Sequence, residues 1–375
     1  MSLLIKGGVT EHINLTDKEV NDVIDHALLS VRDGHLYNIV SWRRLLTSQP
    51  DKAIDRMAST WVGAGGQNAA YCATFDGTYI YVGLAVNPAQ IIKINPATMT
   101  TVATWIAAAT QDTVQGLAFD GTYLYATIWW NGTLNFPQML KIDPSTMTTV
   151  GTWTGIVASG AIPIVFDGTY IYVGLLANPG LVYQIDPATM ATVGTWTGVV
   201  DDEKSIWALT FDGQYIYAGC DIGPGVVIQI DPATMTTVLV WTGVGAENLI
   251  TCLAFDGTYI YAGCDEIPGK VVQINPITMA TVLVWTGVAT QDKIQGIAFD
   301  GQYIYANTLT VGGVVVMVAK INTTTMATVS IWNGAAGQVE GTGMTFDGKY
   351  IYILLQTSPS QVVRKIMRDI DETGV

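Results

Sequence analysis

Over most of the chain, apolar and polar residues alternate in short runs, and Asp-Gly or Asp-Pro pairs separate one run from the next. Alternation with a period of two reads as strands with one buried face, and such breakers mark the turns between them. The runs also repeat as a set. The pattern F-D-G-x-Y-[I/L]-Y occurs seven times, with its aspartate at Asp76, Asp120, Asp167, Asp212, Asp256, Asp300 and Asp347, at spacings of 44, 47, 45, 44, 44 and 47 residues. Every unit runs in the same order: an apolar strand ending in Phe, an Asp-Gly turn, a Tyr-Ile-Tyr strand, a variable loop, a strand such as VVIQI, a turn such as D-P-A-T-M, and a strand ending in Trp. The Asp-Gly pair predicts a type I′ hairpin turn, because Gly accepts the positive φ it needs, and Asp-Pro opens the second turn with φ preset.

Each unit is thus expected to be a four-stranded antiparallel meander with two apolar faces, which must stack on copies of itself. Four strands in about 44 residues is the signature of a β-propeller blade. The predicted fold is all-β, a seven-bladed β-propeller over residues 55–370 followed by a short tail, 371–375. The Trp strand also occurs seven times, at Trp61, Trp105, Trp153, Trp196, Trp241, Trp285 and Trp332, and the first precedes any F-D-G. The last F-D-G unit has no Trp strand after SQVVRKI. The ring is therefore expected to close through an N-terminal strand near Ser59–Gly63 that completes the last blade and covers its open edge.

The tyrosine strand followed by an IDPAT turn, as in YIYVG and IDPATM of the third unit, resembles the YVTN-type seven-bladed propeller repeat over residues 55–368. This chain departs from that pattern in its F-D-G before the tyrosine strand and its Trp at the repeat end. The resemblance implies the fold, and a scaffold in place of one fixed activity.

Residues 1–54 carry no repeat. In LTDKEVNDVIDHALLSV, Thr16 with Glu19 forms a capping box, and Val20, Val23, Ile24 and Leu28 follow at helical spacing. A second amphipathic stretch, HLYNIVSWRRLL, contains Trp42 and the basic pair Arg43 and Arg44. A short helical segment is expected, serving either as a cap on the propeller or as an attachment and assembly module that binds a protein partner or a second copy. The stretch GGVTEHINLTDKEVNDVIDHA is similar to N-terminal segments of phage tail-fibre and virion accessory proteins, which implies a receptor-facing domain attached to a particle.

Composition narrows the partners. The chain has 17 Lys plus Arg against 31 Asp plus Glu, a formal net charge of −14, and a surface this acidic repels nucleic acid. No secretory or membrane-spanning apolar run is present, so no membrane partner is expected, and the expected location is a virion or extracellular surface, or the cytoplasm if the protein is not viral. The four cysteines occupy equivalent repeat positions, Cys72 with Cys252 and Cys220 with Cys264, and read as small buried residues.

Candidate chemistry lies opposite the repeated turns, on the side carrying the variable loops. The F-D-G aspartates read as turn residues. Acidic residues of the variable side include Asp112, Asp201, Asp202, Glu203, Asp221, Glu247, Asp265, Glu266, Asp292 and Glu340, opposed by Lys204, Lys270 and Lys293. The loop TIWWNGTLNFPQ brings Trp129, Trp130 and Phe136 where sibling loops carry small residues, and Trp207 replaces the Gln115, Thr251 or Gln295 of other first strands near the channel. Aromatics of this kind stack on sugars, anchor a protein partner or cover a neighbouring blade. The candidate ligand-binding set is Trp129, Trp130, Phe136, Trp207, Asp112, Asp221, Asp265, Glu266 and Asp292. All three histidines, His12, His26 and His35, precede the blades, and the only arginines after residue 60 are Arg364 and Arg368, so no nucleophile–base pair, metal centre or cofactor is expected. The expected function is non-enzymatic binding of a glycan or other cell-surface ligand. The alternatives are a carboxylate-dependent carbohydrate-active enzyme, or a surface-layer or adhesion module.

Overall fold

The computed structural model describes residues 60–366, apart from 131–135, 157–159, 246, 290 and 311–314, together with two short strands near the start. The chain divides into two compact units, Met1–Met57 and Ala58–Val375. In the first, Ser2–Leu3 pairs antiparallel with Ile13–Asn14. The two amphipathic stretches with Val20, Val23, Ile24, Leu28, Trp42, Arg43 and Arg44, and the tail 371–375, lie outside the described residues.

The second unit is a β-propeller of seven four-stranded sheets. The first blade consists of Ala70–Phe75, Ile80–Leu84, Gln90–Asn95 and Thr100–Ile106, paired in that order. The next five repeat this meander. The seventh consists of Gly341–Phe346, Tyr350–Leu355 and Gln361–Ile366, with Thr60–Val62 as its fourth strand, Trp61 standing opposite Val362. The chain thus begins its propeller in the blade where it ends, and Thr342 Oγ1 donates to the Ala70 carbonyl of the first blade at 2.6 Å.

The apolar alternation becomes core between blades. Tyr217, Val227 and Trp241 of the fourth blade pack with Ile250, Ile260 and Ala262 of the fifth, and Ile80, Val82 and Ile92 of the first pack with Tyr352, Leu354, Val362 and Trp61 of the seventh. A blade alone would expose both of these surfaces, so its stability is that of its junctions.

The F-D-G turns differ from the expected type I′. Phe75 pairs with Ile80, the Asp76 N–H donates to the Tyr79 carbonyl, and φ is positive only at Gly77, at 92°. Type I′ needs positive φ at both central residues, whereas a positive φ at a leading Gly is the pattern of type II′. The reason is the aspartate. Asp76 Oδ1 accepts from the N–H groups of Thr78 and Tyr79 at 2.7 and 2.6 Å, taking over the role of its own carbonyl. Its Oδ2 accepts from the buried Tyr81 hydroxyl at 2.8 Å. The same three bonds form around Asp120, Asp167, Asp212, Asp256, Asp300 and Asp347. Burial first, then the partnered aspartate, pushes the Tyr81 phenol far above its ordinary range.

Two contacts recur at six of the seven junctions between blades. The indole N–H of the outer Trp donates to a threonine of the following blade, as Trp196 Nε1 does to Thr237 Oγ1 at 2.9 Å, and five other junctions do the same, including Trp61 to Thr101. The third strand sends a side chain under the neighbouring turn: Lys93 to the Pro144 carbonyl, Lys141 to Pro187, Gln184 to Pro232, Gln229 to Pro276, Gln273 to Thr323 and Arg364 to Pro96.

Candidate binding face and central channel

One side of the disc carries the F-D-G turns, whose aspartates are consumed by the bonds above, and the D-P-A-T-M turns, whose proline carbonyls accept from the neighbouring blade. The other side carries the loops between second and third strands. In five blades this loop is short and holds a proline, Pro88, Pro179, Pro224, Pro268 or Pro359. In the second and sixth blades the hairpin is longer: Gln111–Phe119 pairs with Leu124–Trp130 out to Gln111 opposite Trp130, and Gln291–Phe299 pairs with Tyr303–Thr310 out to Gln291 opposite Thr310. The aromatic loop singled out in the sequence therefore follows one of two extended second strands. The longer sixth-blade strand pair was missed because its NTLTVGGVVVMV looks like ordinary strand, although both units show the 47-residue spacing.

The candidate aromatics separate. Trp129 stands opposite Asp112 and is half-buried; a Cβ on Gly160 of the next blade would lie 3.0 Å from its ring, so the indole packs on that glycine. Phe136 is 40% exposed and free to meet a partner. Trp130 lies opposite Gln111 on the ladder.

The acidic residues separate too. Glu203 and Glu247 are buried, and each caps its own loop, accepting from the Val199 and Val244 N–H groups at 2.9 Å. Gln111, Gln291 and Gln338 make the same bond in other blades, so the carboxylates here are structural. Glu266 accepts from Asn248 Nδ2, and Asp292 from the Lys293 N–H. Asp265 of the fifth blade makes an ion pair with Lys293 of the sixth, at 2.8 Å. Asp221 occupies the equivalent place in the fourth blade. Burial and the nearby Asp265 charge raise its carboxyl above the ordinary range, against smaller opposing effects of Trp207 and Lys293.

Trp207 joins this cluster to the channel. First strands of all seven blades line a cavity of about 250 Å³. Its outer tier, nearest the loops, is Tyr71, Trp207, Thr251 and Gln295, and two residues further along each strand follows an apolar belt of Ala73, Leu117, Ile164, Leu209, Leu253, Ile297 and Met344. The Trp207 indole N–H faces the Asp221 carboxylate but falls short of hydrogen-bond geometry, and it is buried from solvent with no other partner among the described residues. Gln115 Oε1 of the same tier is likewise buried and unpaired. The belt and Tyr71 were not singled out in the sequence; alignment of the seven first strands against Trp207 finds both.

The cysteines are inert here. All four are free, and burial pushes their thiols up, Cys220 and Cys252 to about 12. No cluster of three or more His, Cys, Asp or Glu side chains among the described residues could hold a metal ion. No helix among them is long and apolar enough to cross a membrane.

No family model and no curated protein matches the chain. Among solved structures it is similar to the crystal structure of the computationally designed Ika8 protein, with a TM-score of 0.56 and 15% identity, over 81% of this chain and 98% of that one. At that identity the likeness concerns the fold alone.

Proposed function

We propose that this is a non-enzymatic binding protein of the YVTN-type propeller class, closed by its N-terminal strand. Its loop face recognises a glycan or other ligand on a cell surface, and residues 1–54 tether it to a larger assembly, for which the N-terminal resemblance suggests a virion tail fibre. The observation that carries this reading is the inequality of the two faces. Seven copies of one bonded turn occupy one side, while the other is irregular, with two long hairpins flanking a channel mouth that keeps unpaired polar atoms. Variation concentrated on one face of a rigid scaffold supports recognition there.

The test is binding of the labelled full-length chain to bacterial cells and to an immobilised glycan panel. Replacing residues 129–137 by the short loop Leu-Ala-Asn-Pro-Gly of the third blade should abolish binding while leaving a cooperative unfolding transition. Unchanged binding after shortening both the second and the sixth hairpins would overturn the reading. Tethering through residues 1–54 is tested by light scattering on the full chain and on one starting at Ala53. A defined oligomer that becomes a folded monomer supports self-assembly.

The carbohydrate-active alternative needs two carboxylates free to face one substrate. It is disfavoured because Asp265, Glu266, Glu203 and Glu247 are already engaged by protein donors. Turnover of a polysaccharide by the full chain, lost in Asp221→Asn, would reverse that preference.

A further inference from the structure

The central channel has the build of a small-molecule site whose polarity changes with depth. Its inner part is a belt of seven apolar side chains, including Leu117, Leu209, Leu253 and Ile297. Strand geometry places the Trp207 tier two residues, or about 7 Å, nearer the loop face. The threonine hydroxyls of that tier are already spent, Thr251 donating to the Ile294 and Gly263 carbonyls and Thr342 to that of Ala70, while the Tyr71 phenol stands on the opposite side of the ring from Trp207 in chain order. Past Trp207 comes Asp221, with Asp265 and Lys293 beside it. A ligand matched to this order has an apolar body and a positive head. A volume of about 250 Å³ lies just under the roughly 300–1,000 Å³ of pockets for drug-sized ligands, so the ligand is of fragment size.

We propose that the channel binds a small organic amine, entering from the loop face. Its apolar body lies against the Leu and Ile belt and the Trp207 ring, and its ammonium sits between Asp221 and Asp265. Two features favour a cation over a neutral or anionic ligand. Asp221 has no ion-pair partner among the described residues, although it is half-buried beside a second carboxylate. Lys293, the cation paired with Asp265 among the described residues, is 40% exposed along its side chain and comes from the adjoining blade, so it can swing outward and leave Asp265 to the incoming ammonium. The indole face adds cation–π attraction for a head group lodged beside it.

The experiment is calorimetric titration of the full-length protein with benzylamine, and with benzyl alcohol and benzoate as neutral and anionic counterparts of the same shape. Saturable binding of benzylamine alone is expected. Asp221→Asn should weaken it at least tenfold, and Lys293→Gln should strengthen it several-fold by removing the competing ammonium. Opposite effects from two neighbouring substitutions cannot arise from general damage to the fold, and Lys293→Gln decides the matter even if the other variant folds poorly. Equal binding of benzyl alcohol, no saturable binding of benzylamine at ~10 mM, or weakening by Lys293→Gln would each overturn the proposal.

Discussion

A single aspartate per blade does the work of a whole turn. Asp167 accepts from the Thr169 and Tyr170 N–H groups at 2.6 Å and from the Tyr172 hydroxyl at 2.8 Å. Asp167→Ala removes all three bonds and leaves a buried phenol unpaired toward the turn, which should cost roughly 2–4 kcal/mol, whereas Tyr172→Phe should cost about 1–2 kcal/mol. Denaturant unfolding of both variants checks the ranking. Asp221 behaves in the opposite way. Its carboxyl titrates above the ordinary value of 3.8, so as pH rises through that window the folded chain keeps a proton the unfolded chain has released, and stability falls. The penalty persists at neutral pH. Asp221→Asn should therefore raise the melting temperature slightly at pH 7, and the advantage should vanish below about pH 3.8. A residue that the fold would be better without is a candidate for use in binding.

At the scale of strands and hairpins, the junction between blades is the unit of stability. Thr237→Val leaves the Trp196 indole N–H without its acceptor and should cost about 1–2 kcal/mol, while Thr237→Ser, which keeps the hydroxyl, should restore most of it; thermal unfolding of the pair separates the hydrogen bond from packing. This junction shows what the sequence makes legible. The Trp and Thr positions recur with the repeat, so strand order, strand count and the turn aspartates could be read directly from periodicity. The turn type could not, because Asp76 replaces a backbone acceptor with its side chain, and propensity for Asp-Gly does not reveal which oxygen is used. The acidic rim was also misleading as a set. Glu203 and Glu247 look solvated in the sequence, but they fold back onto their own loops where other blades use Gln. The charge cluster at Asp221 joins residues of three blades, 72 positions apart from Asp221 to Lys293, so the sequence places its members on one face but not their pairing.

For the whole molecule, the seventh sheet is where the ring closes. Its fourth strand, Thr60–Val62 among the described residues, is the one supplied from the other end of the chain. Position 57, four before Trp61, holds Met where all six other units have Thr four before their Trp. A chain starting at residue 65 loses both Thr60–Val62 and the Trp61 bond to Thr101, and leaves Gln361–Ile366 as an open edge. It should melt at lower temperature and aggregate with rising concentration, as scattering during a thermal ramp would record.

The sameness of the junctions has a further consequence. A lysine or glutamine of one blade reaches the same turn carbonyl of the next, and a tryptophan the same threonine, almost all the way round. No single blade therefore encodes how many siblings it has. The two ends, where Thr60–Val62 and Arg364 lie, mark only where the ring is joined. Evolution can lengthen or shorten such a chain by duplicating or deleting a whole unit internally, and the ends will still find one another. What changes is the bore of the channel, and with it the size of whatever the channel can hold.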